Sequence, residues 1–300
     1  MARSALPTIL IDGKAVVQAS DMFCRRQLGF GTGTRWSKRG NPNLSRPLVE
    51  TIKAAIGMGF THLDCADDYN TEAEVGTAVE ECGLPRSELF VTTKVRHELY
   101  DIPKALGASL SKMKLDYVDL YLIHAPFKFK TPEEISTAWA AMEGLKAKGL
   151  ARSIGVSNFR PVDLEPIFKT CKEMPAVNRI EFHPYRQRPI LMAVMKQHHI
   201  TPTSYGALVP LRKKPGGPVD DYVRELAGKY QVAEPEILMR WQMDKGIGVI
   251  TTSSSEDRLK NYLRVCDFKL TDEEQAEMNR LGAKLLVKGF WPVEGADDPE

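Results

Sequence analysis

The feature that most constrains this chain is a regular alternation of short apolar runs with amphipathic stretches, repeated eight times. The apolar runs lie at Gln27–Gly31, Phe60–Asp64, Leu89–Lys94, Tyr117–His124, Ser153–Ser157, Ala176–His183, Thr203–Leu208 and Ile247–Thr252. Several are rich in β-branched or aromatic residues and apolar on both faces, as parallel strands covered on two sides must be. Between them, Pro47–Gly57 places Leu48, Ile52 and Ile56 on one stripe of a helix. Thr131-Pro132-Glu133-Glu134 reads as an N-cap, a proline at the first helical position and an acidic first turn. That helix runs to about Lys148, where Gly149 stops it. Thr271-Asp272-Glu273-Glu274 is a capping box opening a late helix. Strand–helix alternation demands right-handed crossovers and a parallel sheet. Eight units without a break favour a closed (β/α)₈ TIM barrel over an open doubly wound sheet. The expectation is one domain over residues 1–300, with a hairpin-like segment at about 8–26 and a short tail at about 286–300. Ser37–Ser45 and Val209–Val219 read as loops, the second mobile and placed to cover an active site.

Such barrels carry their chemistry at the C-terminal ends of the strands. Those ends are polar here: Asp64, Lys94, His124, Ser157 with Asn158, Tyr205, and Thr252 with Ser253. Asp64, Lys94 and His124 are spaced thirty residues apart, one strand–helix unit each, so they converge on one mouth. Taken singly each has a plain structural reading: a hydrogen-bonded histidine, or a buried lysine with its carboxylate partner. With Tyr69 five residues after the aspartate, the set acquires a chemical logic. Reducing a carbonyl takes a hydride and a proton, and the proton donor must reach the carbonyl oxygen. An ordinary phenol, with a pKa of about 10, is a weak acid at neutral pH. A neighbouring ammonium stabilises its anion, Asp64 would orient that ammonium, and His124 would fix the carbonyl oxygen.

Composition narrows the partners. Forty-one basic against 39 acidic residues give no electrostatic reason to expect nucleic acid or an anionic membrane surface. No apolar run approaches the roughly 20 residues of a membrane helix, and Met-Ala-Arg-Ser-Ala-Leu-Pro is not a secretory signal. Cys24, Cys65, Cys82, Cys171 and Cys266 are scattered singly, which argues against a disulfide framework and against a zinc site. The expectation is a reduced, cytoplasmic protein without a metal, acting on a small molecule as a monomer or weak dimer.

At this point the residues resemble a known family. Thr61-His62-Leu63-Asp64-Cys65-Ala66-Asp67-Asp68-Tyr69-Asn70-Thr71-Glu72 is similar to the first signature of the aldo-keto reductases. Thr92-Thr93-Lys94, Asp119–Pro126, Ile154–Phe159 and Val177–Tyr185 follow in that family's order. Gly31–Trp36 and Val249–Ser254 resemble its fungal branch, which reduces conjugated polyketones and α-keto amides. The resemblance implies a catalytic tetrad of Asp64, Tyr69, Lys94 and His124. It implies cofactor contacts from Gly33 and Thr34, and nicotinamide carboxamide binding by Ser157, Asn158 and residue 179. It also implies stacking of Tyr205 on the nicotinamide ring. Residue 179 is Arg179 where the family has Gln, Thr252 stands where it has Lys, and Ala125 where many relatives carry Trp.

Gly29-Phe30-Gly31 begins like a dinucleotide fingerprint, but Thr34 stands at the last glycine and a polar loop follows, so a Rossmann reading fails. Barrels hold phosphate after strands 7 and 8, where Thr252, Ser253 and a helix at Asp257–Val265 lie. Arg258 there can pair with a ribose 2′-phosphate, which favours NADPH over NADH. Trp36, Phe127 and Phe159, with Phe129 and the tail pair Phe290-Trp291, could line an apolar substrate pocket. The function expected is NADPH-dependent reduction of ketones or aldehydes. A second reading is a regulatory or structural barrel that binds nucleotide with little turnover. A third, a metal-dependent hydrolase, is poor, because no second histidine pair follows His62 and Asp64 at strand ends.

Overall fold

A computed structural model of the chain describes residues 10–11, 14–15, 27–38, 41 and 43–291. Leu10–Ile11 (β1) and Lys14–Ala15 (β2) pair antiparallel, Leu10 opposite Ala15. The rest of the segment expected at about 8–26, including Val16–Arg26, lies outside the described residues.

The eight strands expected from the apolar runs form a closed parallel barrel. They are Leu28–Gly31 (β3), His62–Asp64 (β4), Phe90–Val95 (β5), Val118–Ile123 (β6), Ala151–Ser157 (β7), Val177–Glu181 (β8), Thr201–Tyr205 (β9) and Gly248–Thr251 (β10). Each pairs with its sequence neighbour, and β10 returns to β3, Val249 opposite Leu28. Closure leaves no edge strand, so every barrel strand spends its backbone groups internally.

Around the barrel run Arg46–Met58 (α1), Glu72–Glu81 (α2), Ile102–Met113 (α3), Pro132–Ala147 (α4), Pro161–Thr170 (α5), Pro189–Gln197 (α6), Val209–Lys213 (α7), Asp220–Tyr230 (α8), Glu234–Met243 (α9), Glu256–Tyr262 (α10) and Asp272–Gly282 (α11). The stripe read in α1 is buried, with Leu48 and Ile52 at 0% exposure. Thr131 caps α4 by accepting the Glu134 N–H at 3.4 Å. Thr271 and Glu274 close a reciprocal capping box on α11 at 3.2 and 2.8 Å. Two helices meet at Gly76, where an added Cβ would sit 2.1 Å from the Met113 carbonyl oxygen.

Two expectations are corrected. Val209–Val219 is not a loop throughout, because Val209–Lys213 forms a short helix with proline in its first turn. Cysteines are not uniformly unpaired: Cys65, Cys82 and Cys171 are free, whereas Cys266 is disulfide-bonded. Spacing along a chain does not reveal which distant thiols a fold brings together. Among the described residues no helix is long and apolar enough to cross a membrane.

Candidate active site

Parallel register sets the site. Gly31 pairs with Asp64, Asp64 with Thr92, and Lys94 with Leu122, so the strand ends finish at one mouth. Asp64 and Lys94 are buried there, and Lys94 Nζ donates to Asp64 Oδ1 and to the Cys65 carbonyl, each at 2.7 Å. A lysine this deep is tolerable only because both contacts replace the water it lost.

Tyr69 arrives on a 3₁₀ turn, Asp67–Tyr69, which follows β4 directly. The Asp67 carboxylate pins that turn by accepting the Arg96 N–H at 2.9 Å and the His97 N–H at 3.2 Å. Burial raises the Asp67 carboxyl above its ordinary pKa, and those two N–H groups work against the rise. The Tyr69 hydroxyl then lies 3.3 Å from His124 Nε2. The Lys94 ammonium sits 4.9 Å from the Tyr69 ring centroid. Burial, then the nearby charges of Lys94, Arg96 and His97, hold His124 well below the usual histidine range, so its ring is neutral at neutral pH. Its Nδ1 has no hydrogen-bond partner within the protein.

The opposite wall comes from β7, β8 and β9. Asn158 takes a left-handed conformation (φ 62°) that turns its amide back into the mouth. Its Nδ2 donates to the His124 carbonyl at 2.9 Å and to Ser157 Oγ at 3.0 Å. Its Oδ1 accepts the Tyr205 hydroxyl at 2.6 Å. Ser157 Oγ in turn donates to the Arg179 carbonyl at 2.9 Å. The tyrosine is thereby fixed by its hydroxyl, and burial raises its phenol above the ordinary range.

Arg179, at 1% exposure, forms an ion pair through Nη1 with Asp64 Oδ2, and its Nε donates to Thr203 Oγ1 at 3.2 Å. Burial lowers its guanidinium to about 9, which still leaves it charged at neutral pH. Asp64 is therefore the shared counter-ion of two buried cations. Glu181, a second possible partner, faces elsewhere: it binds His183 Nε2 at 3.0 Å and accepts the Gly289 and Phe290 amides at 2.6 and 3.2 Å.

A cavity of about 550 Å³ opens over these groups. It gathers Asp64, Tyr69, Lys94, His124, Gly33, Thr34, Ser157, Asn158, Arg179, Tyr205 and Thr252 from the expected set. Ser253 and Arg258 stand apart from its lining: Ser253 is buried, Arg258 is exposed, and Arg258 Nε donates to Ser253 Oγ at 3.1 Å. Of the expected pocket aromatics, Phe159 is corrected: it is absent from this lining and fully buried in the hydrophobic core, where an apolar ring removes most surface from water. Trp36 packs against the core with its Nε1 buried. Phe127 reaches the mouth through Trp291, 5.5 Å between ring centroids.

Sequence reading missed Asp68, Arg212 and Lys213, all on the cavity wall. It also missed how the tail is held. Trp291 lies edge-on to His124 at 5.9 Å under the Arg96 guanidinium, 4.2 Å from the ring centroid. Phe290 lies edge-on to Tyr205 at 5.3 Å. Arg212 and Lys213 belong to the segment expected to cover the site, and their basic character is the sequence signal for a role there.

Whether these residues suit a nicotinamide dinucleotide can be judged from their donors. Arg179 Nη2 and Thr252 Oγ1 are buried without a hydrogen-bond partner in the protein, and both residues line the cavity. Buried donors of this kind call for an acceptor from a ligand. Arg212 and Lys213 add cations of the kind phosphates require. Gly31 and Gly33 leave the wall bare, since a Cβ on Gly31 would sit 2.8 Å from Ile250 Cγ2. The residues present fit the group.

Comparison with known proteins bears on this geometry. Residues 27–283 match the aldo/keto reductase family. The chain is 42% identical over 266 residues to an NAD/NADP-dependent indole-3-acetaldehyde reductase of Schizosaccharomyces pombe, covering 87% of this chain and 93% of that one. It is 39% identical over 267 residues to an NADPH-dependent alpha-keto amide reductase of Saccharomyces cerevisiae, covering 84% and 86%. Among solved structures it superposes on the aldose reductase of Schistosoma japonicum with a TM-score of 0.81 at 26% identity, covering 98% of each chain.

Proposed function

The chain belongs to the aldo/keto reductase family and is thus an NAD(P)H-dependent oxidoreductase of carbonyl groups; on that premise we propose that it uses NADPH to reduce α-dicarbonyls, conjugated polyketones or related keto compounds, with Tyr69 as proton donor. The observation that carries this reading is the cluster itself: a phenol 3.3 Å from a neutral imidazole, over a buried ammonium held by a carboxylate.

The dinucleotide, when bound, supplies the hydride that the carbonyl carbon receives. Tyr69 supplies the proton that the carbonyl oxygen takes up, and the product is the alcohol. His124 is uncharged, so it offers a neutral hydrogen bond that orients the oxygen beside the Tyr69 hydroxyl without competing as an acid. Lys94 carries its charge close to the phenol ring and stabilises the negative charge left on it. Asp64 fixes the direction of that ammonium. Solvent returns the proton to Tyr69 through the open mouth.

Ser157, Asn158 and Arg179 would hold the carboxamide, and Tyr205, locked by Asn158, would present its ring to the nicotinamide. Arg258, whose Nε donates to Ser253 Oγ at 3.1 Å, supports NADPH over NADH as a cation that can pair with a 2′-phosphate. The small side chain of Ala125 beside His124, where many relatives carry Trp, supports a planar substrate. The α-keto amide and indole-3-acetaldehyde reductases named among the relatives support carbonyls of this kind. The intact cluster of Asp64, Tyr69, Lys94 and His124 supports the enzyme over a barrel that only binds nucleotide. The test is NADPH consumption over a panel running from planar α-dicarbonyls, such as isatin, to simple aldehydes. Highest kcat/KM on the planar dicarbonyls is expected, and preference for simple aldehydes would overturn the substrate assignment.

A further inference from the structure

Two cations share one carboxylate beneath this cavity. Lys94 occupies Asp64 Oδ1 and Arg179 pairs with Oδ2, so the buried trio carries one unbalanced positive charge. The other acids nearby do not cancel it. Glu181 is committed to His183 and to two tail amides, with Lys213 bonded to the Gly289 carbonyl alongside. Asp68 is taken up by Arg96 at 3.6 Å and His97 at 3.0 Å. The charged residues lining the cavity are Asp64 and Asp68 against Lys94, Arg179, Arg212 and Lys213.

We infer that Arg179 makes this site discriminate between the redox states of its dinucleotide, holding the uncharged reduced nicotinamide in preference to the cationic oxidised one. The inference rests on the reading that the wall of Ser157, Asn158 and Tyr205 takes the nicotinamide end. Reduced and oxidised dinucleotides carry the same phosphates, so Arg212, Lys213 and Arg258 act on both alike and drop out of the comparison. What differs is one positive charge on the ring, placed near a buried guanidinium at low effective dielectric, where like charges cost most. Arg179 also offers Nη2 without a partner in the protein, so its N–H can donate to a carboxamide oxygen in either state. A neutral glutamine would keep a hydrogen bond and lose the discrimination. Arginine therefore favours loading of the reduced cofactor and release of the oxidised one.

Equilibrium titration of the full chain with NADPH and with NADP⁺, followed by calorimetry, tests this without turnover. The wild type should bind NADPH more tightly than NADP⁺ by on the order of tenfold. Arg179→Gln should bring the two close to equality, chiefly by tightening NADP⁺. It leaves Asp64 paired with Lys94 and so creates no orphaned buried carboxylate. Arg179→Lys, which keeps the charge, should keep the preference. Equal affinities in the wild type, or a ratio unmoved in Arg179→Gln, would overturn the inference. The underlying reading fails differently: a Tyr205→Ala chain that binds both dinucleotides as tightly as the wild type would remove this wall from the nicotinamide site.

Discussion

Placement of the Tyr69 ring depends on a residue with no side chain. A Cβ on Gly33 would stand 2.9 Å from both Cε2 and Cζ of Tyr69 and 3.3 Å from Cε1, where ordinary contact begins at 3.4 Å. Gly33→Ala must therefore push ring and loop apart by about 0.5 Å, the difference of those two distances. The ring has little freedom to yield elsewhere. It meets His124 edge-on at a centroid distance of 5.4 Å, and Lys94 lies 4.9 Å from its centroid. Misplacing a reacting group by about 1 Å can cost on the order of a hundredfold in rate. Half that displacement should lower kcat about tenfold, or roughly 1.4 kcal/mol in the barrier. Because Gly33 is a surface-loop residue at the mouth, the melting temperature should hardly change. Steady-state kcat and thermal unfolding on the same preparation separate the two effects. A folded Gly33→Ala enzyme with wild-type kcat would refute the reasoning that the position of this phenol sets the rate.

Three further outcomes are expected. Arg258→Ala should weaken NADPH binding about tenfold or more while leaving NADH nearly unchanged, the size of a lost charge-assisted contact; equal losses in a titration of both would count against a 2′-phosphate contact. Gly76→Ala drives a Cβ to 2.1 Å from the Met113 oxygen and 2.5 Å from its Cα, where backbone cannot yield cheaply, so it should cost about 2–3 kcal/mol, readable as a lower melting temperature with kcat intact. His124 and His183 are both buried with pKa values below the ordinary range, so the unfolded chain binds more protons than the folded one once pH falls below about 6.5. Stability should then drop by up to about 1.4 kcal/mol per pH unit for each histidine, and urea unfolding at stepped pH values that showed no loss on acidification would contradict the burial argument.

Much of this architecture was legible because a barrel repeats. Asp64, Lys94 and His124 recur once per strand–helix unit, and parallel register turns equal spacing into convergence at one mouth. Strand ends were less legible. The run Thr203–Leu208 reads as a strand, whereas β9 is Thr201–Tyr205. Pro202 disguised its start, since proline reads as a break although it is tolerated near the beginning of a strand. Gly206, at φ 77°, turns the chain away before the apolar Ala207-Leu208 can extend it. The pairing of Arg179 with Asp64 was beyond the sequence, because it joins β8 to β4 through the barrel interior and no local pattern records it. Phe159 misled because it directly follows Ser157 and Asn158 at the mouth, yet its side chain is buried in the core, and adjacency in sequence does not fix that direction.

In the proposed reaction the phenol of Tyr69 gives the carbonyl oxygen its proton. The most direct test is NADPH oxidation with a planar α-dicarbonyl by wild type and by Tyr69→Phe, alongside NADPH binding to each. Turnover is expected in the wild type and its loss in Tyr69→Phe, with cofactor affinity nearly the same in both, because only the acidic hydroxyl is removed. Undiminished turnover in Tyr69→Phe would contradict it, and would move the proton donor to another group in the mouth.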